Sequence, residues 1–269
     1  MSPERRDGMS SRPKILLLAG TYEARQLASL LRERFPRAHV TASFAGVVHD
    51  LPDLGVETRI GGFGGVEGLV DYLRQTSTSL VIDATHPYAS QMSWNAAKAT
   101  MSADVALLRL DRPAWQPVRG DNWIKAEDLR AANQLLSSGS RVFLSVGRKE
   151  VSVFFGRSDL WAMARMIEPP PVPLPGTWHL ELARPGKSAV EEMQLLQRHK
   201  ITCIVSKNSG GERSYAKIEA ARSLGLPVIM LARPNLPKEQ TAPNVKSALL
   251  MADEMLGFGD LSKSWISAD

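Results

Sequence analysis

Cysteine is almost missing from this 269-residue chain: Cys203 stands alone, which excludes an intramolecular disulfide framework. Its neighbours Ile201, Ile204 and Val205 place it in a strand as a small core residue, and a chain without disulfides suits a reducing cytoplasm. Long apolar runs are also missing. Those present are strand-sized and bounded by charges or turns, so no transmembrane helix and no membrane partner is expected. Met1 to Arg12 hold charges, Ser and Gly without an apolar core, the composition of a frayed tail rather than a signal peptide. No metal-ligand spacing occurs, and of the five histidines only His86 falls on a ligand-facing turn; His39, His49, His179 and His199 do not. The net charge of +5 suits an anionic partner, yet the basic residues are scattered and no standard nucleic-acid motif appears, which leaves a small polyanion open. The full G-x-G-x-x-G fingerprint is absent too.

What is present is 43% hydrophobic sequence, enough to fill two compact α/β domains. The chain is organised around Leu80-Val81-Ile82-Asp83-Ala84-Thr85-His86-Pro87-Tyr88-Ala89. Leu80 to Ile82 read as a buried parallel strand, Asp83 to Pro87 as the turn at its carboxyl end, and Tyr88 to Thr100 as a helix with Pro87 at its first turn. Ligands of open α/β sheets lie just outside such strand ends, which makes Thr85 and His86 ligand-facing.

Upstream, Lys14 to Ala19 form a first strand, and Gly20-Thr21-Tyr22 a tight turn into a helix bearing Ala24, Leu27, Ala28 and Leu31 on one face. This is the outline of a phosphate cradle, with Thr21 adding a hydroxyl to the helix amides. A second strand over Ala38 to Ala42 ends at Ser43-Phe44-Ala45, where NAD-specific folds carry an acid about 20 residues past the glycine turn. Here that region is neutral, which favours NADP. Strands over Val56 to Ile60 and Val105 to Leu108, with a helix marked by Val66, Leu69, Val70 and Leu73, complete an alternation that implies a parallel sheet covered on both faces.

A linker ending near Pro117 leads to a second unit. It contains a helix over Leu129 to Leu136, strands at Arg141 to Val146, Leu160 to Met166 and Trp178 to Leu182, a stiff proline loop from Pro169 to Pro175, a helix over Ser188 to His199, and a strand over Ile201 to Val205 that ends in Ser206-Lys207-Asn208-Ser209-Gly210-Gly211. From Ala84 to Pro113 and from Ser206 to Pro234 the chain runs through the same succession of polar turn, Ala-rich helix, apolar strand and Arg-Pro exit. This weak internal repeat implies two α/β halves. A last helix presents Val245, Ala248, Leu249, Ala252 and Leu256 on one face and needs a sheet to cover.

Four segments together carry a family resemblance: Ala19-Gly20-Thr21-Tyr22-Glu23-Ala24-Arg25, Asp83-Ala84-Thr85-His86-Pro87-Tyr88-Ala89, Arg112-Pro113-Ala114-Trp115, and Lys207-Asn208-Ser209-Gly210-Gly211 with Lys217. In order and spacing they resemble the precorrin-6A reductases of cobalamin biosynthesis, including the cobalt-precorrin-6A reductases. The turn Gly147-Arg148-Lys149 is more basic than the family pattern. The resemblance implies two Rossmann-like domains with mainly parallel sheets and an active-site cleft between them: residues 13–116 for NADP, with the helix at 242–258 returning to that domain, and residues 117–240 for the tetrapyrrole. It implies a cytoplasmic, non-metal enzyme, acting as a monomer, that takes hydride from NADPH and saturates one double bond of precorrin-6A or its cobalt form to give precorrin-6B. Another Rossmann-type NADP oxidoreductase, or a non-catalytic tetrapyrrole or nucleotide carrier, are the rival readings. Short-chain dehydrogenase chemistry is disfavoured because Tyr88 is followed by Met92, not Lys, at the Tyr-x-x-x-Lys spacing.

By the same resemblance Gly20, Thr21, Glu23, Arg25, Ser43, Ala84, Thr85 and His86 contact the cofactor. Glu23 either caps its own helix or holds the ribose, and Arg25 and Ser43 are candidates for the 2′-phosphate. His86 either orients the nicotinamide amide or caps the following helix. The proton that accompanies hydride comes from His86, Tyr88 or bound water. Arg148, Lys207, Asn208, Ser209, Gly210, Gly211, Tyr215 and Lys217 face the acetate and propionate carboxylates of the substrate.

Overall fold

The computed structural model describes residues 12–46 and 53–259; the amino-terminal tail and His49 lie outside them. Two compact units emerge. Unit 1 runs through Arg112 and resumes at Asn235, and unit 2 is the uninterrupted stretch Pro113–Pro234.

Unit 1 contains β1 (Lys14–Ala19), α1 (Tyr22–Arg34), β2 (His39–Phe44), β3 (Glu57–Ile60), α2 (Gly65–Thr76), β4 (Leu80–Asp83), α3 (Ser90–Ala103) and β5 (Ala106–Leu110). Unit 2 contains β6 (Trp123–Ala126), α4 (Leu129–Gln134), β7 (Arg141–Ser145), β8 (Trp161–Met166), β9 (His179–Leu182), α5 (Ala189–Arg198), β10 (Cys203–Lys207), α6 (Ala216–Leu224) and β11 (Val228–Leu231). The chain then returns to unit 1 as β12 (Gln240–Ala242) and α7 (Val245–Leu256).

Each unit holds a six-stranded parallel sheet, ordered β12-β5-β4-β1-β2-β3 and β6-β11-β10-β7-β8-β9. The expected class, two parallel-sheet α/β domains flanked by helices, is the one adopted. In unit 1 alternate strand residues feed opposite faces. Ile15, Leu17, Leu80, Ile82 and Leu108 pack with α1 and α7, while Leu16, Leu18, Val81 and Leu107 pack with α2 and α3. This double burial is why β1 reads as an unbroken apolar run.

The two sheets share one strand order but differ in where the sixth strand comes from. In unit 2 it comes first, β6 followed by α4; in unit 1 it comes last, β12 followed by α7. The two pieces are built alike. Ala126 and Ala242 end the strands, and Asp128 and Asn244 cap the helices by accepting the amides of Ala131 and Ser247, each at 2.8 Å.

Several expected boundaries move. The division between units falls at Arg112/Pro113 rather than near residue 117, and the return at Pro234/Asn235 rather than after residue 240. The physical reason for the first shift is Trp115, which packs on the core of unit 2 and has its backbone held there. Asn235 and Pro237 already belong to unit 1, where their carbonyls accept from Trp94 Nε1 at 3.2 Å and Arg109 Nη1 at 2.8 Å. The helix expected from Tyr88 begins at Ser90, and Pro87 stands outside it. His86 closes a separate turn first: its carbonyl accepts from Ala89 N at 2.7 Å and its Nδ1 from Tyr88 N at 3.3 Å. Cys203 is buried and its thiol is pushed up to about 11 by burial, in keeping with a core residue. Among the described residues no helix is long and apolar enough to cross a membrane.

α7 owes its place to its apolar stripe, in which Ala248, Leu249 and Ala252 are buried in the unit 1 core. Leu249→Ala is expected to cost about 2–5 kcal/mol, read as a lowered urea midpoint. An unchanged midpoint would show that α7 contributes nothing to the unit.

Candidate functional site

In both sheets the strand order reverses beside the first strand of the βαβ series, between β1 and β4 and between β7 and β10. Turns at the carboxyl ends of these pairs flank the crevice in which such folds place ligands. Register aligns them: Leu18 pairs with Asp83 in unit 1 and Ser145 with Ser206 in unit 2, so Gly20 corresponds to Gly147 and the Asp83 turn to the Ser206 turn.

In unit 1, Gly20 leaves β1 with φ 156° and has open space where a Cβ would stand, so a ligand can approach the backbone. Thr21 caps α1. Its buried hydroxyl accepts from Ala24 N at 3.0 Å and donates to the Ala84 carbonyl at 2.9 Å, tying the turns after β1 and β4 together. Ala84 is buried with its N–H on Leu18 O, so it shapes the floor of the turn and has no backbone donor to offer. The carboxylate of Glu23 pairs with Arg112.

The centre of this end is Asp83, 1% exposed. Oδ1 accepts from Thr85 N at 3.1 Å and Thr85 Oγ1 at 2.6 Å; Oδ2 accepts from Ser93 Oγ at 2.6 Å and lies 3.5 Å from Arg109 Nε. The Thr85 hydroxyl proton is therefore committed to Asp83, and its oxygen presents lone pairs outward. His86 and Tyr88 are half-buried with ring centroids 5.7 Å apart. Because His86 Nδ1 accepts from Tyr88 N, a neutral His86 ring carries its proton on Nε2.

Sequence reasoning missed Arg59. It sits on β3 beside Ser43, its Nη1 3.4 Å from the Ser43 hydroxyl, its donors on the carbonyls of Gly61 (2.6 Å) and Gly62 (2.7 Å), and its guanidinium over the Phe63 ring at 3.9 Å. A cation one strand beyond a neutral β2 end was the available signal. Arg25 instead lies along α1, 5.8 Å from the Tyr22 ring.

In unit 2 several expected ligands serve the protein itself. Lys207 pairs with Glu150, whose Oε2 also accepts from Gly147 N at 2.8 Å, and Arg148 pairs with Glu168 at 2.9 Å. Asn208 is a backbone clamp: Oδ1 accepts from Trp115 N at 2.7 Å and Nδ2 donates to Trp115 O at 2.9 Å. Gly210 has φ 70°, and a Cβ there would stand 2.2 Å from the Pro113 carbonyl. Ser209 is buried, its N–H on the Lys207 carbonyl at 3.0 Å, and Gly211 precedes a short 3-10 turn at Glu212–Ser214. Tyr215 rests against Trp115 and accepts from Arg222 at 2.7 Å.

Lys217, expected to face the substrate carboxylates, is 3% exposed. Its Nζ donates to the Ser214 carbonyl at 2.7 Å and lies 5.0 Å from the Trp115 ring centre. A cavity of about 420 Å³ opens beside Trp115 and Tyr215, lined also by Lys187, Ser188, Gly210 and Glu212 among others. Exposed Lys187 was not read as a site residue, and Ser188 was read only as the start of its helix, where its hydroxyl accepts from Glu191 N at 3.3 Å.

Two outcomes follow from this geometry. Asn208→Ala leaves both backbone groups of Trp115 without their partners and should cost about 1–3 kcal/mol in urea unfolding, whereas a residue serving only a ligand would leave stability unchanged. Burial, reinforced by Arg165 and opposed by Glu192, lowers Lys217 to about 7 from its ordinary 10.5. Between those two values the unfolded chain binds more protons, so stability rises with pH across that window and is lowest where both states are protonated. The urea midpoint, followed by tryptophan fluorescence, should climb from pH 7 towards 10, and Lys217→Met should flatten the climb; parallel curves would refute it.

The family model described as Precorrin-6x reductase CbiJ/CobK matches residues 14–252. Precorrin-6A reductase of Rhodococcus erythropolis is 43% identical, covering 88% of this chain and 96% of that one. Cobalt-precorrin-6A reductase of Methanothermobacter thermautotrophicus is 30% identical, covering 90% and 84%. A solved structure of CobK precorrin-6A reductase superposes with a TM-score of 0.83 at 38% identity, covering 90% of this chain and 97% of its own. The matched span takes in both polar strand ends and the break in unit 1, and the chain belongs to the precorrin-6x reductase CbiJ/CobK family.

Proposed function

We propose that this protein reduces one double bond of the precorrin-6A macrocycle, metal-free or cobalt-bound, to give precorrin-6B, with NADPH as the reductant. Membership of a reductase family calls for a nicotinamide cofactor, and unit 1 fits one. The observation that carries the reading is the open backbone at Gly20, held at the strand-order reversal by the Thr21 tie to Ala84. That turn would hold the cofactor diphosphate, since the first amides and the dipole of α1 favour an anion. Bound there, the dihydronicotinamide supplies the hydride.

The chain's own residues do the rest. Thr85 Oγ1, its proton committed to Asp83, accepts from the carboxamide N–H₂. His86 donates through Nε2 to an acceptor on cofactor or substrate, and the proton for the neighbouring carbon comes from His86, Tyr88 or a water they hold. Ser43 and Arg59 receive the 2′-phosphate, with Arg25 as the competing cation. In unit 2, Lys187 and the first turn of α5 meet substrate carboxylates at the cavity beside Trp115, and Arg148 and Lys207 join them by exchanging a protein carboxylate for a substrate one.

The direct test is loss of NADPH absorbance on adding precorrin-6A to the purified chain; no oxidation with either the metal-free or the cobalt substrate refutes the assignment. NADPH should also bind at least tenfold more tightly than NADH. Arg59→Gln should close that gap by about ten- to hundredfold, the worth of a charge-assisted bond of roughly 1.5–3 kcal/mol, while leaving NADH affinity unchanged. If Arg25→Gln closes the gap instead, the phosphate lies against α1.

A further inference from the structure

Unit 2 carries a second polar cluster at the other end of its sheet from the Lys207 turn. His179 and Glu181 stand two residues apart on β9, so both side chains leave one face of the strand. His199 caps the carboxyl end of α5, which the β9-α5-β10 crossover brings back to the amino-terminal edge of the sheet. His179 Nε2 lies 3.1 Å from Glu181 Oε2, the two imidazoles stack with centroids 4.6 Å apart, and one donor atom from each of the three residues lies within 4.8 Å of the others.

The cluster is held in place. The His199 ring stacks on Trp161 with planes 18° apart, and its carbonyl accepts from Arg141 Nε at 2.8 Å. All three candidate ligands are half-buried, within reach of an aqueous ion yet partly shielded from bulk water. No spacing pattern in the sequence marks them, because they come from a strand and from the far end of the following helix.

We propose that His179, Glu181 and His199 bind one divalent transition ion of the zinc class, leaving a coordination position to water. Two imidazoles and one carboxylate are the donors of borderline ions rather than of Mg²⁺ or Ca²⁺. At metal–ligand distances of about 2.0–2.2 Å the donors must close by roughly an ångström, within the reach of side-chain rotation. The carbonyl end of α5 favours a cation, and Arg141 beside Trp161 opposes one. An ion here joins the first residue of an edge strand to the end of the helix that follows, a clamp on unit 2 that takes no part in hydride transfer.

The test uses the untagged, metal-stripped full-length chain. Titration with Co²⁺ should give one equivalent with visible ligand-field bands, and Zn²⁺ should raise the melting temperature where Mg²⁺ does not. His179→Gln and His199→Gln should each weaken the affinity at least tenfold while the metal-free variants still melt cooperatively. Three results overturn the proposal: no stoichiometric binding, binding that both variants retain in full, or a melting shift that Mg²⁺ reproduces.

Discussion

The buried carboxylate of Asp83 sets the polar end of unit 1. Removing such a group from water costs several kcal/mol, and it persists only where donors replace the lost hydration. Here they come from three directions: the Thr85 amide and hydroxyl of its own turn, the Ser93 hydroxyl of α3, and Arg109 of β5. Arg109 extends the chain of contacts to the Pro237 carbonyl and so to the segment that leads back into β12. One acid therefore aligns the turn after β4, the helix that follows it and the segment leading to the returning strand. It also explains why Thr85 faces outward as an acceptor.

Unit 2 solves the equivalent problem with opposite charge. Register puts Ser206 where unit 1 has Asp83, and the charged group is Lys207 one residue later, answered by Glu150 from the loop that begins at Gly147. The basic Gly147-Arg148-Lys149 turn is thus the counterpart of the Gly20 turn, with Glu150 placed to neutralise the lysine opposite. Arg148 and Lys207 are both positioned by protein carboxylates, those of Glu168 and Glu150. Asn208 and Gly210 hold the entry into unit 2 by fastening Trp115 and by letting Pro113 pass close.

Much of the fold was legible because buried parallel strands are continuous apolar runs and the helices carry clear stripes. The core elements from β1 to α3, from β7 to β11, and α7 were read from those signals. Two strands were not recognised: β6 and β12 are three or four residues long with a single buried position each, Ala126 and Ala242, too little for any period to show. At the site, the residue types were legible and their partners were not. Nothing in the local sequence says that Glu23 meets Arg112, that Asn208 meets Trp115, or that Lys217 is covered, since each depends on contacts made far along the chain. Arg59 was passed over because its strand is mostly polar and its relation to Ser43 appears only once β2 and β3 pair.

The late arrival of β12 imposes an order on synthesis. Residues up to Arg112 emerge from the ribosome with five of their six strands, and the edge of β5 that Gln240–Ala242 will cover stays open until unit 2 has been made in full. An uncovered edge strand is a template for mispairing. The contiguous second unit can finish folding before the first, reversing the usual amino-to-carboxyl sequence, and the nascent unit 1 must remain unclosed throughout the translation of its insert.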